Sequence, residues 1–535
     1  MSVNQWKMMN YLRDHLAKTV SDKTAAISSL NKEWMGAVKK LPVLAGNIAA
    51  DIEDSTKKIS LTFQKSISNS EIPKSFSDLK LKLTQKPGVT SDDKSTWKTK
   101  KNIVSNQSIT AMTDCLLNSI TNAESDDSRN ERLEGLIEHF NTYPDAIGPA
   151  IKNGAISKLL KIRNRIENTT TKQIISEVLA TLGYLNPLPG QGIRILAIDG
   201  GGIRGLLVTE MLAKLEELTG KKINELFDYI CGVSTGSVIA CAVGARGKSI
   251  EEISALYRDL SNRIFTQNVF FGARSLVWNH GYYDTALWEE LLKEHVGEMS
   301  LISTSRNQPY PKIGMISTVT SHNQIVPYIF RNYELPYRVK SKYLGSYKHK
   351  LWEAIRASAA APTYFEEFHL GEYLHQDGGV LVNNPTAVAV HEAKQLWPDS
   401  PIQCVVSFGT GRLEPVRLES SDSKKVVTKQ TSWKEKFYNI LVSATDTEAV
   451  HMILNDLLPP SVYFRFNPFL TELLSMDECQ PEKLDLLKKD ALMYIRRNEE
   501  KFQDAAAALL LQRTLYQKMN DWVNEKCVEY SNRYN

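Results

Sequence analysis

Two glycine-flanked turns, each set between a strand-like apolar run and a helix-like apolar run, constrain this 535-residue chain more than any other feature. The first is Asp199-Gly200-Gly201-Gly202-Ile203-Arg204-Gly205 and the second is Gly232-Val233-Ser234-Thr235-Gly236. Ahead of the first, Ile193-Arg194-Ile195-Leu196-Ala197-Ile198 is a short β-branched run that reads as a buried strand. Behind it, Leu206, Leu207, Met211, Leu212, Leu215 and Leu218 recur at helical spacing until Gly220 closes the pattern. Phe227-Asp228-Tyr229-Ile230-Cys231 reads as a second strand, and Val238, Ile239, Ala242 and Val243 suit a buried helix. Strand, glycine turn, helix, strand, serine turn, helix is a βαβα unit, and such units build parallel sheets.

The turns carry chemistry. Gly232–Gly236 is a G-x-S-x-G nucleophile elbow, in which the serine sits on strained backbone and small flanking residues let strand and helix approach closely. A glycine run between strand and helix presents backbone N–H groups to an anion. A third run, Asp377-Gly378-Gly379, sets a carboxylate in a turn. Nucleophile, oxyanion hole and base are the minimum set for acyl transfer. Other readings exist for each run. Gly200, Gly202 and Gly205 match G-x-G-x-x-G literally, but a dinucleotide site needs an acidic residue about 20 positions on, at the end of a second strand. Glu216 and Glu217 fall near that distance and lie inside the predicted helix. Asp377 with two glycines is, taken alone, an ordinary turn.

The three runs together resemble the patatin-like phospholipase family, which carries D-G-G-G-x-R-G, then G-x-S-x-G, then D-G-G or D-G-A. Arg356-Ala357-Ser358-Ala359-Ala360-Ala361-Pro362 and His375-Gln376-Asp377-Gly378-Gly379 extend the likeness, which runs closely from Arg194 to Leu413 and more loosely to the C-terminus. The resemblance implies an α/β class, patatin-like three-layer fold with a central mostly parallel sheet, preceded by an armadillo-like helical region. It implies a calcium-independent lipid acyl hydrolase that cleaves glycerophospholipid esters at a membrane surface, with a serine–aspartate dyad. By position, Ser234 is the nucleophile and Asp377 the base, Gly200, Gly201, Gly202 and Arg204 line the oxyanion hole, and Gly232 and Gly236 form the elbow. It further implies a mitochondrial, endoplasmic reticulum or peroxisomal membrane as the location.

A serine hydroxyl is a weak nucleophile until a base takes its proton, and a partly buried carboxylate in direct contact has the basicity to do so. The rival is a Ser-His-Asp triad, whose chain order His375, His391 and His451 all satisfy. A non-catalytic lipid-binding scaffold is the reading from another class, and intact Ser234 and Asp377 speak against it. Arg204 either supports the oxyanion, meets a lipid phosphate or pairs with a carboxylate of the fold. Asn383-Asn384-Pro385 and Gly409-Thr410-Gly411 read as turns at the pocket rim, with no chemistry assigned.

Six scattered cysteines show no C-x-x-C or metal spacing, which fits a reduced, intracellular protein. No EF-hand loop or H-E-x-x-H is present, so no metal or cofactor is expected. No apolar run reaches transmembrane length, no secretory core follows Met1, and Asn532-Arg533-Tyr534-Asn535 is not a Ser-Lys-Leu signal. The net charge of +4 is uneven: residues 1–108 hold 18 Lys and Arg against 10 Asp and Glu, so the remainder is acidic. A basic arm on an acidic body suits an anionic membrane rather than nucleic acid. Residues 1–65 form this arm, where Trp6, Met9, Leu12, Leu16 and Val20 recur at helical spacing, as an interfacial helix, a presequence or a solvated helix. Residues 66–108 read as a Ser/Thr/Lys-rich linker.

Residues 109–190 carry successive amphipathic stripes: Cys115, Leu116, Leu117 and Ile120; Leu133, Leu136, Ile137 and Phe140; Ile156, Leu159, Ile162 and Ile166; Ile174, Ile175, Val178 and Leu179. They suggest an armadillo-like layer packed on a catalytic domain spanning 191–432. An aromatic stretch, Phe265, Phe270, Phe271, Trp278, Tyr282 and Tyr283, either lines an acyl channel, dips into a bilayer or packs the core. Residues 433–535 are expected to be a mainly helical extension. Leu509, Leu510, Leu515, Met519 and Trp522 there anchor either a brace on the core or a homodimer interface.

Overall fold

In the computed structural model, which describes residues 105–265, 283–307, 310–322, 324–412, 447–472 and 474–530, the described stretch before the first strand includes five α-helices. These are α1 (Asn106–Thr121), α2 (Asp126–Thr142), α3 (Ile147–Lys152), α4 (Ala155–Arg165) and α5 (Thr169–Thr181). Ser105, Ser125 and Asn168 cap α1, α2 and α5 by accepting a backbone N–H three residues on. The stripes converge on one core, with Leu117, Leu133, Leu136, Phe140, Leu159, Ile175 and Val178 fully covered. The first stripe differs from the sequence reading: Cys115 is exposed, and Thr113 takes the inner position by bonding His139 Nε2 at 2.8 Å. The arm 1–65, the linker as far as residue 104, and the aromatic stretch between Phe265 and Tyr283 lie outside the described residues.

The helical layer is fastened to the sheet domain by Glu177 of α5. That carboxylate is buried, accepts from Ser303 Oγ at 2.9 Å and pairs with Arg306. Arg306 also reaches Glu134 of α2 at 2.9 Å.

Among the described residues, nine strands form one sheet in the order β5-β4-β3-β2-β1-β8-β9, with β7 and β6 branching from β3. They are β1 (Ile193–Ile198), β2 (Tyr229–Val233), β3 (Lys312–Val319), β4 (Val326–Arg331), β5 (Leu344–Ser346), β6 (Phe368–Leu370), β7 (Tyr373–Asp377), β8 (Ile402–Phe408) and β9 (Tyr463–Phe466). β1 pairs in parallel with β2 and β8, β2 with β3, and β8 with β9. Every residue of β1 and β2 is buried, as a parallel sheet covered on both faces requires. One covering layer includes α6 (Gly205–Thr219), α7 (Thr235–Ala240), α8 (Ile250–Ile264), α9 (Thr285–Val296) and α10 (Leu351–Ser358). α11 (Thr386–Leu396) packs Val388, Ala389 and Ala393 against the other face. The three-layer, mostly parallel architecture is the one the family resemblance implied.

One strand boundary departs from the sequence reading, and one strand is added to it. β2 starts at Tyr229, because Ile223–Leu226 is a helical turn and the Asp228 carboxylate is occupied by Arg194, whose backbone N–H and guanidinium donate at 2.8 and 2.7 Å. Further on, the described part of residues 433–535 also supplies a strand: β9 is the sheet's last, followed by α13 (Pro481–Arg497), α14 (Glu499–Leu510) and α15 (Leu515–Tyr530), with α12 (Thr447–Leu457) before it. Four residues, Tyr463-Phe464-Arg465-Phe466, are too short a run to show a period in the sequence. α15 braces the helical layer through Glu529, whose carbonyl accepts Ser157 Oγ at 2.5 Å, and through Glu525, paired with Arg163. Leu515, Met519 and Trp522 are exposed on it, whereas Leu509 is buried.

Candidate active site

The strand β3 assembles the site. Its first half pairs with β2, ending at Val233 opposite Ile316, and its second half pairs on the same edge with β7, ending at Asp377 opposite Ser317. β2 runs parallel and β7 antiparallel to β3, so their carboxyl ends meet head to head. Ser234 follows the one and Asp377 closes the other. The Ser234 hydroxyl donates to Asp377 Oδ2 at 2.6 Å, across 143 residues of sequence.

Ser234 has φ 53° and ψ −118°, a strained conformation for a residue with a side chain. A side chain at Gly232 would collide with the Gly236 carbonyl, and one at Gly236 with the Ile198 carbonyl of β1, so both must be glycine for the strand and α7 to approach this closely. The strain is held by neighbours. Ser234 N–H donates to Ser358 Oγ at 2.9 Å, and Ser358 in turn donates to the Ile316 carbonyl at 2.6 Å. Tyr257 of α8 donates to the Thr235 carbonyl at 2.9 Å.

Asp377 is 6% exposed, and burial pushes its carboxyl up to about 6. Hydrogen bonds from Ser234 and from the Gly379 N–H, at 2.7 Å to Oδ1, oppose that rise. The group is therefore ionised at neutral pH, yet more basic than an ordinary aspartate.

The glycine turn lies against the serine. A Cβ on Gly200 would come within 3.3 Å of the Ser234 Cβ, and Gly202, at φ 59°, lines the same cavity as Ser234. Gly200 is pinned at both ends: its N–H donates to the Asn383 carbonyl at 3.3 Å and its carbonyl accepts Thr410 Oγ1 at 2.6 Å. The two turns that the sequence left without chemistry are thus the clamps of the loop. Gly201 and Gly202 N–H, and Thr235 N–H at the start of α7, take no hydrogen-bond acceptor among the described residues. Arg204 folds back on the loop, its Nε donating to the Gly201 carbonyl at 3.2 Å. The dinucleotide alternative has no support in this geometry: the second strand leads into the serine elbow, and Glu216 Oε1 accepts the Ile223 N–H within the helical hairpin.

Asp199, which opens the turn, is fixed by a residue that sequence reasoning missed. Arg465 of β9 donates to both Asp199 oxygens at 2.9 and 2.5 Å, and both side chains are 2% exposed. Burial raises the Asp199 carboxyl while Arg465 opposes it; burial also pulls the Arg465 guanidinium down, but the charge and hydrogen bond of Asp199, together with Tyr463 and Glu448, outweigh it and raise the guanidinium. An isolated arginine in a four-residue strand 266 positions away offers no signal in the sequence.

Beside Ser234 lies an apolar slot of about 90 Å³, with Val238, Leu260, Trp288 and Phe365 among its walls. Phe265 lines it too, packed edge-on against Tyr283 at 5.0 Å, while Trp288 stacks on Phe365 at 5.9 Å. The histidines stand apart. His375 is fully buried with Nδ1 on Ser317 Oγ at 2.8 Å, His391 lies edge-on to Tyr343, and His451 Nδ1 meets Tyr463 at 3.2 Å.

Residues 196–390 match the family model described as patatin-like phospholipase. The chain is 46% identical over 401 residues to calcium-independent phospholipase A2-gamma of Homo sapiens, covering 75% of this chain and 50% of that protein. It is 33% identical over 380 residues to Phospholipase A I of Arabidopsis thaliana, covering 61% of this chain and 28% of that one. It therefore spans about half the length, or less, of these relatives. Among solved structures, VipD from Legionella pneumophila aligns with a TM-score of 0.31 and 12% identity over 63% of this chain and 74% of that one.

Proposed function

This chain belongs, through residues 196–390, to the patatin-like phospholipase family, and from that premise we propose that it is a calcium-independent lipid acyl hydrolase using a Ser234–Asp377 dyad. Its substrates are fatty acyl esters of glycerophospholipids, met at a membrane surface. The observation that carries the reading is the 2.6 Å bond from a strained, buried-elbow serine to a carboxylate of raised basicity, beside an apolar slot.

Asp377 takes the Ser234 proton as Oγ attacks the ester carbonyl. Negative charge develops on the carbonyl oxygen, and the Gly201 and Gly202 N–H groups hold it, with Thr235 N–H as a further donor at the start of α7. Arg204 and Gly200 shape that loop through the bonds each makes along it. Asp377 then returns the proton to the departing lysolipid alcohol, leaving the acyl group on Ser234. Water, deprotonated by Asp377, releases the fatty acid and restores the hydroxyl. The apolar walls take the acyl chain, whose burial contributes about 0.8 kcal/mol per methylene.

No described helix is long and apolar enough to cross a membrane. We place the protein peripherally on intracellular membranes, with the basic arm as a further contact. The test is fluorophosphonate labelling followed by peptide mapping, with mass spectrometry of products from defined mixed-acyl phospholipids in a calcium chelator. Label on Ser234 and free fatty acid under chelation are expected. A Ser234→Ala variant that keeps a tenth of wild-type turnover sinks the reading.

A further inference from the structure

A second cavity, of about 490 Å³, opens at the carboxyl ends of β8 and β9 and shares no lining residue with the slot beside Ser234. Four cationic side chains line it, Arg412, Arg465, Arg497 and Lys501, against two carboxylates, Glu448 and Asp490. Both carboxylates are committed. Glu448 accepts from Arg412 at 2.8 Å and from Asn467 Nδ2 at 2.9 Å, and Asp490 accepts from Thr471 N–H and Oγ1 at 2.9 and 2.6 Å. Arg465 spends both terminal nitrogens on Asp199 and Ser407, and its buried Nε has no hydrogen-bond partner among the described residues. Lys501 donates to the Arg465 carbonyl at 2.6 Å, and Arg497, exposed at the rim, has no carboxylate partner among the described residues.

We propose that this cavity binds a phosphate group, carried by a lipid headgroup or by a free phosphate. The cations that line the cavity outnumber the carboxylates, and neither Arg497 nor Lys501 has a carboxylate partner among the described residues, in a space large enough for a ligand. A phosphate supplies three or four acceptor oxygens, enough to match a guanidinium fork and an ammonium at once. Burial first, and then the Arg465 and Arg412 charges, depress the Lys501 ammonium. The rim also carries exposed Phe469 and Met493, an apolar lip beside the cations. The carboxyl edge of an open α/β sheet is where such folds bind ligands. Occupancy would be felt at the catalytic turn, because Arg465 holds Asp199.

The intact chain carrying Ser234→Ala, so that lipid is not consumed, is titrated with inorganic pyrophosphate and, separately, with phosphatidylcholine vesicles with and without phosphatidic acid. Arg497→Glu is compared with Arg496→Glu, an equal charge change on an exposed neighbour outside the cavity lining. Loss of one charge-assisted contact weakens binding about tenfold or more, and Arg496→Glu should stay within about twofold. Pyrophosphate binding lost selectively in Arg497→Glu identifies a free phosphate ligand. Vesicle binding lost selectively, without pyrophosphate binding, identifies a headgroup. Lys501→Met should reproduce whichever loss is seen, with folding checked by circular dichroism. Equal behaviour of the two arginine variants in both assays, or no binding of either probe, overturns the proposal. Neither assay reads hydrolysis, so this outcome is separate from that of the dyad.

Discussion

Ser234 and Asp377 meet at 2.6 Å because the strands that end in them share one edge of β3, Val233 opposite Ile316 and Asp377 opposite Ser317. The contact is therefore set by backbone register rather than by flexible side chains. Register locks a strand wherever its faces are buried, so the two groups are preorganised before any substrate arrives.

The first expectation concerns pH. Asp377 must be ionised to accept a proton, and its carboxyl is pushed up to about 6 by burial. With a soluble short-chain ester, kcat/KM should rise with pH through an inflection near 6 and level off about one unit above it. An inflection at the ordinary carboxylate value, about 4, contradicts the buried setting. Stability has the opposite sign. A carboxyl raised in the folded state keeps its proton more firmly there than in the unfolded chain, so stability falls as pH rises from 3.8 to about 6. Asp377→Asn should therefore raise the thermal midpoint at neutral pH, by up to about 3 kcal/mol of stability, with the gain fading toward pH 4.

The second concerns the anchor of the glycine turn. Arg465→Met leaves Asp199 buried without its counter-charge, which costs roughly 3–5 kcal/mol. Asp199→Asn with Arg465→Met should recover part of that loss, since two neutral groups replace an unpaired ion. Urea unfolding of the single and double variants reads the difference. A double variant as unstable as Arg465→Met shows that the pair does not hold the turn.

Ser358 is the third. Its hydroxyl bridges the Ser234 N–H and the Ile316 carbonyl, fixing the strained elbow without touching the reacting atoms. Ser358→Ala orphans a buried N–H at a cost of about 1–3 kcal/mol and frees the elbow to relax. A fall in kcat of about ten- to a hundredfold is expected, with KM nearly unchanged, because geometry rather than substrate contact is lost. A change confined to KM assigns Ser358 to substrate binding instead.

Much of the site was legible because its chemistry is local in sequence. Gly232 to Gly236 and Asp199 to Gly205 each encode a strand-to-helix turn in a few residues, and their neighbours carry the periods that place them. What escaped was non-local. Thr410 and Asn383 clamp Gly200 from turns far along the chain, and Arg465 reaches Asp199 from a four-residue strand inside a stretch that reads as helical. No period, cap or motif marks such partners, because only the sheet order β1-β8-β9 brings them together. The exposed face of α15 shows the same limit from the other side. Leu515, Met519 and Trp522 have core-like spacing, but the helix docks through Glu525 and Glu529.

The last expectation separates a dyad from a triad. In a triad an imidazole holds the serine's proton, and its removal costs nearly as much as removal of the serine. None of the three candidate histidines, His375, His391 and His451, has a hydrogen bond to Ser234 or Asp377 among the described residues. His375 is the closest in sequence and sits in an aromatic box of Tyr328, Phe330 and Tyr373, with burial pushing it down to about 4, so it is neutral at working pH. It bonds Ser317, the β3 residue opposite Asp377, and so steadies the register rather than the proton. Ser234→Ala and Asp377→Asn should each lower turnover of a soluble ester by about 10⁴ or more. His391→Ala and His451→Ala should remain within about tenfold, a barrier change of roughly 1.4 kcal/mol. His375→Ala should lose more stability than the other two, with the turnover of the folded fraction still within about tenfold. A histidine variant that stays folded by circular dichroism yet is as inactive as Ser234→Ala overturns the dyad and makes that imidazole the base.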